Sequence, residues 1–77
     1  MPFRDLVSRH AMSEAELDAI TLDEMEETYL DPDVTRRSAH DELREIRTRR
    51  FGDSAIEVVV DTIDGRVVTT WRKRPLR

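Results

Sequence analysis

The chain has no cysteine, which excludes disulfides and thiolate metal sites. Its two histidines, His10 and His40, are too few for a histidine zinc cage, and no ligand spacing accompanies them. No metal or cofactor is therefore expected. No apolar run approaches the ~18 residues of a membrane span. The charged opening MPFRDLVSRH is not followed by the apolar stretch of a secretory signal. These absences predict a cytoplasmic protein with no membrane contact. Lys73 is the only lysine and Trp71 the only tryptophan. With 77 residues the sequence predicts one domain over 1–77, and a core this small commonly needs a partner or a second copy for stability.

What is abundant is charge, 39% of residues with a net of −4. It is unevenly placed. Residues 1–33 hold two arginines against ten acids, a net of −8; residues 34–77 hold eleven cations against seven acids, a net of +4. Halves of opposite sign point to an anionic partner for the basic half or to mutual neutralisation within the fold, and the two readings carry equal weight.

Residues 3–10, FRDLVSRH, place Phe3, Leu6, Val7 and His10 at helical spacing. Ser13 with Glu16 and Thr21 with Glu24 each match the capping-box spacing, in which two side chains satisfy each other's backbone amides. The second helix should carry Leu22, Met25 and Tyr29 on one stripe and end at Asp31-Pro32, because proline disfavours helix in the residue before it. Beyond the proline the period changes to two. Val34 to Arg37 reads as a short edge strand. LREIRTRRF, 43–51, reads as a strand, with a helix competing because Leu43, Ile46 and Arg50 also fit a helical period. AIEVVVDTI, 55–63, is rich in β-branched residues, Asp64-Gly65 is a hairpin turn signal, and Arg66 to Arg72 is the return strand. Helices over about 3–30 followed by a sheet over about 34–74 predict an α+β class, with the N-terminal helices packed on one face of a three- to four-stranded antiparallel meander.

Pairing fixes the faces. A two-residue turn at Asp64-Gly65 would set Val60 opposite Thr69, Val58 opposite Trp71 and Glu57 opposite Arg72. Val58, Val60, Val67, Thr69 and Trp71 would then face the helices. For the preceding hairpin, a three-residue loop Gly52-Asp53-Ser54 keeps Arg47 and Arg49 out of the core. A two-residue loop would bury them, at ~3 kcal/mol or more for an unpaired guanidinium. The three-residue reading gathers Arg47, Arg49, Thr70 and Arg72 on one open face around Glu57.

Arginines on a rigid sheet hold phosphates through paired donors, and Thr70 adds a hydroxyl. RNA cleavage by the substrate's own 2′-hydroxyl asks for little more: a base, here His10 or Glu57, and cations that stabilise the developing charge. His10, Thr70 and Arg47 are thus the catalytic candidates, and Arg49, Arg72, Lys73 and Arg74 the RNA-binding ones. The plainer reading is a solvated face with cross-strand Arg–Glu pairs, a His10 that packs or caps its helix, a His40 on the surface and a Trp71 in the core rather than stacked on a base.

The segments RHAM (9–12), ITLDEMEETYLDPD (20–33) and IEVVVDTIDGRVVTTWRKR (56–74) resemble a family of small bacterial and phage domains distantly similar to the BrnT and RelE toxins. The resemblance covers most of the chain and implies a RelE-like sheet on N-terminal helices, with metal-independent RNA cleavage at the open face and an antitoxin that covers it. It matches His10 to an early histidine and Thr70 to a last-strand threonine. The chain departs from the family in its net acidity. The alternative is a non-enzymatic phage or plasmid protein that binds and modulates a host protein through the acidic patch of Glu24, Glu26 and Glu27. A homodimer is compatible with either.

Overall fold

Ser8, rather than Ser13, starts the first helix. In the computed structural model, which describes residues 2–74, Phe3–Leu6 forms a 3-10 turn. Val7 then bridges Val67 in parallel, and Ser8 N–H donates to the Val67 carbonyl at 3.0 Å. The Ser8 hydroxyl accepts from Ala11 N–H at 3.1 Å and caps α1, Arg9–Leu17. Ser13 therefore lies inside α1 and its capping box does not form. The reason is packing: this phase buries Ala11 and Ala15 against the sheet. α1 ends at a left-handed residue, Ala19 (φ 54°). Ala19 N–H reaches Glu16 O and Ile20 N–H reaches Ala15 O, the two bonds of a Schellman motif.

The second helix follows the sequence expectation. α2, Leu22–Leu30, opens with the reciprocal Thr21–Glu24 box, both bonds 3.0 Å. Met25 and Thr28 are its buried residues. Thr28 satisfies its hydroxyl by donating to Glu24 O at 2.8 Å, so a polar residue in the helix interior leaves nothing unpaired.

Four strands follow: β1 (Val34–Arg37), β2 (Arg44–Phe51), β3 (Ser54–Asp61) and β4 (Val67–Lys73), antiparallel throughout in the order β1-β2-β3-β4. This is the expected α+β arrangement, and β2 is a strand. The helices cover one face. Val7, Ala11, Ala15, Ile20 and Met25 meet Ile56, Val58, Val60 and Val67 there. Among the described residues no helix is long and apolar enough to cross a membrane.

Both hairpins depart from the expected pairing, and the departures reverse the faces of β2 and of β4 beyond Val68, while Val58, Val60 and Val67 face the helices as expected. In the β2–β3 hairpin Phe51 pairs with Ser54, so the turn is the two-residue Gly52-Asp53. Gly52, at φ 61°, occupies the first turn position, where a type II′ turn requires glycine. Arg47 pairs with Val58 and Arg49 with Ile56, which places both arginines on the helix side. The objection to this register was an unpaired buried guanidinium. It lapses because the C-terminal end of α2 supplies partners, as detailed below.

In the β3–β4 hairpin Asp61 N–H bonds Arg66 O, and Gly65 N–H bonds Asp61 O. The loop is thus longer than two residues. Val60 pairs with Val67 but Val59 with Thr69, so Val68 is an extra bulge residue. The shift turns Thr70 and Arg72 toward the helices and Trp71 away from them, opposite to the expectation.

Candidate nucleic-acid interface on the open sheet face

The residues nominated from sequence do not converge. His10 sits in the first turn of α1 with its side chain 66% exposed, 3.9 Å from Glu14. Thr70 is 1% exposed and donates its hydroxyl to the Glu57 carbonyl at 2.7 Å. Arg47 donates to Tyr29 O at 2.8 Å and to Glu45 at 3.3 Å. Arg49 reaches Glu27 at 2.7 Å and both the carbonyl and the carboxylate of Asp31. Arg72 donates to Asp18 O, Ala19 O and Ser54 Oγ, and lies 3.5 Å from Glu24. The three arginines are struts between sheet and helices: Arg47 and Arg49 close the C-terminus of α2, and Arg72 closes that of α1. Cations and donors there satisfy carbonyls that a helix end leaves unpaired. Two of the three acids of the acidic patch are likewise engaged, Glu27 by Arg49 and Glu24 by Arg72.

The opposite face of the sheet carries no helix. Alternation from the observed register puts Val34 and Arg36 of β1 there, with Arg44, Ile46, Thr48 and Arg50 of β2, Ala55, Glu57, Val59 and Asp61 of β3, and Thr69, Trp71 and Lys73 of β4. Its centre is Glu57, only 2% exposed. Arg36 Nη1 donates to Oε2 at 3.0 Å, Thr48 Oγ1 to Oε2 at 2.6 Å, and Trp71 Nε1 to Oε1 at 2.9 Å. Burial pushes the carboxyl up, but the three hydrogen bonds and the Arg36 charge outweigh it and hold Glu57 below the usual carboxylate range. The carboxylate orients Trp71 on the open face and neutralises Arg36.

Beside this hub, where the β2–β3 turn meets the end of β4, lies an open depression of about 350 Å³ lined by Thr48, Arg50, Asp53, Ser54, Ala55, Lys73 and Arg74. Lys73 and Arg74 are the two nominated RNA-binding residues that face solvent here, and Arg50 joins them. Among the described residues none of the three cations forms an ion pair. Sequence reasoning missed Arg50, and it placed Trp71 on the wrong side. The signal lies in Gly52-Asp53, because Gly-X is itself a two-residue turn; the cost of burying Arg47 and Arg49 argues against it until their partners on α2 are seen.

Among the described residues no group of three or more His, Asp or Glu side chains is placed to hold a metal. Comparison with protein-family models, with curated proteins and with solved structures finds no match. The chemistry of the open face is therefore the ground for a functional reading.

Proposed function

We propose that the protein binds single-stranded RNA on its open sheet face. The observation that carries this reading is the depression where Arg50, Lys73 and Arg74 stand without acidic partners among the described residues, next to a tryptophan held by Glu57. Cations along a groove track a phosphate backbone, and a neighbouring aromatic ring gives a base a surface to stack on whatever its sequence. Glu14, Glu16, Asp23 and Glu26 belong to the helices, the acid at the centre of the open face is neutralised by three donors, and in the depression three cations outnumber the single carboxylate of Asp53. A chain of net charge −4 can thus present a cationic surface.

Cleavage is not part of the proposal. Attack by a 2′-hydroxyl needs a base and cations around one phosphate. His10 stands on α1, Thr70 is buried and bonded to a carbonyl, and Arg47 is committed to α2.

The test is fluorescence anisotropy with an end-labelled single-stranded RNA across a salt series, using the wild-type chain and the Arg50→Ala, Lys73→Ala, Arg74→Ala triple variant. Binding should weaken steeply with salt. Loss of three phosphate contacts should lower the log–log slope by about 2, at ~0.7 per contact for single strands. The RNA should be recovered intact. Absence of binding at low salt, or an unchanged slope in the triple variant, would overturn the reading. Recovery of RNA with new ends would replace it with a ribonuclease.

A further inference from the structure

The two edges of the sheet are treated differently. β4 is guarded. Val7 bridges Val67, Ser8 N–H occupies the Val67 carbonyl, and the Asp18 carboxylate occupies Arg72 N–H at 2.9 Å. β1 is bare. All four of its residues are exposed, Val34 at 57%, and among the described residues its only strand neighbour is β2. An edge in this state offers unpaired backbone groups to another strand.

The ladder shows which groups those are. Ser38 N–H bonds Arg44 O, continuing the β1–β2 register in which Arg36 meets Ile46 and Val34 meets Thr48. Hydrogen-bonding direction alternates along an antiparallel strand. Val34, Arg36 and Ser38 therefore point their backbone groups at β2, and Thr35 and Arg37 point theirs outward. Thr35 is the natural centre of a new pairing.

We propose that a second copy of this chain pairs there, β1 against β1 about a two-fold axis at Thr35, giving a continuous eight-stranded sheet with both helix layers on one side. Each Thr35 exchanges N–H and C=O bonds with its counterpart. The same register sets Val34 opposite Arg36 of the second copy and brings that copy's Arg37 level with Asp33, which precedes β1 and whose N–H and carboxylate are held by Thr48 O and Arg50 N–H of β2. Opposite charges across a strand pair are stabilising and like charges destabilising. Charge selects this register, since centring the axis on Arg36 would oppose two Arg36 side chains at close range. The exposed Val34 gains the aliphatic stem of Arg36 as cover. The pairing needs no residue of the depression and stands independently of the RNA reading. Its area is small, so the dimer is weak and concentration-dependent.

Sedimentation of the full chain over a wide concentration range tests it. The wild type should rise from its 9.0 kDa monomer mass toward twice that value. Thr35→Pro should remain monomeric while keeping the wild-type circular dichroism spectrum. It removes an N–H that points outward, so the β1–β2 ladder is untouched. Arg37→Asp should also remain monomeric, because it places two carboxylates opposite each other. A wild-type chain that stays monomeric at the highest concentration would overturn the proposal, as would a Thr35→Pro variant that dimerises normally. The first result would leave the edge to a strand of a different protein.

Discussion

The guanidinium carbon of Arg47 lies 4.6 Å from the centroid of the Tyr29 ring, while its Nη1 donates to the Tyr29 carbonyl at 2.8 Å. One arginine thus contacts both the side chain and the backbone of a residue in the last turn of α2. Tyr29 in turn donates its hydroxyl to Gly65 O at 2.8 Å and meets Phe3 edge-on at 5.3 Å between centroids. The pair ties α2, the β3–β4 turn and the N-terminal 3-10 turn to the sheet. A cation that sequence reasoning would assign to a ligand is spent on assembling the fold.

Arg47→Ala should destabilise the protein by about 2 kcal/mol, combining a cation–π contact with a charge-assisted bond to a helix-end carbonyl. Urea denaturation measures the loss. RNA affinity of the folded fraction should stay within error of the wild type. An RNA defect without a stability defect would return Arg47 to the binding surface.

Glu57 should contribute to acid stability. Its carboxyl is held below the ordinary range in the folded state. Between that lowered value and the unfolded value of about 4.3, the unfolded chain binds more protons. Stability from Glu57 is therefore full above the unfolded value and is lost as pH falls through the folded one. Glu57→Gln should cost about 2–3 kcal/mol at neutral pH, because an amide sets its NH₂ against donors that the carboxylate accepts. Its stability should also fall less steeply with acid than that of the wild type. Parallel acid limbs in the two proteins would count against this account.

Ala19 holds a left-handed conformation, φ 54°, at a position where helices favour glycine. Ala19→Gly should raise stability by ~0.5–1 kcal/mol, since relief of the Cβ clash outweighs the added freedom of the unfolded chain. Gly65 is the converse. At φ 75° a Cβ would lie 3.2 Å from the Tyr29 hydroxyl, so Gly65→Ala should destabilise. Thermal unfolding of the two variants should move in opposite directions.

Local order was legible in the sequence. The Thr21–Glu24 box, the stop at Asp31-Pro32, the strand character of 43–51 and 55–63 (observed over Arg44–Phe51 and Ser54–Asp61) and the α+β sequence of elements rest on local sequence pattern, and each stands in the structure. The faces were only partly legible: Gly52-Asp53 signals the β2–β3 turn, whereas nothing local marks the bulge at Val68. A single-residue change of register reverses every side chain of a strand, and both hairpins differ from the expected pairing, one in the length of its turn and the other by a longer loop and the bulge at Val68.

By itself, the sequence determined that helices precede an antiparallel sheet, where α2 starts and stops, and that most of the basic residues belong to the sheet half; it left helix competing with strand over 43–51 and misplaced the start of α1. Only the tertiary structure decided which of those cations are free. Arg47, Arg49 and Arg72 are consumed by carbonyls and carboxylates at the two helix ends, partners distant in sequence whose arrival removes the penalty for burying a guanidinium. Among the described residues Arg50, Lys73 and Arg74 form no ion pair and line the open depression. The difference comes from the two-residue Gly52-Asp53 turn and the bulge at Val68, which decide which side of β2 and of β4 meets the helices.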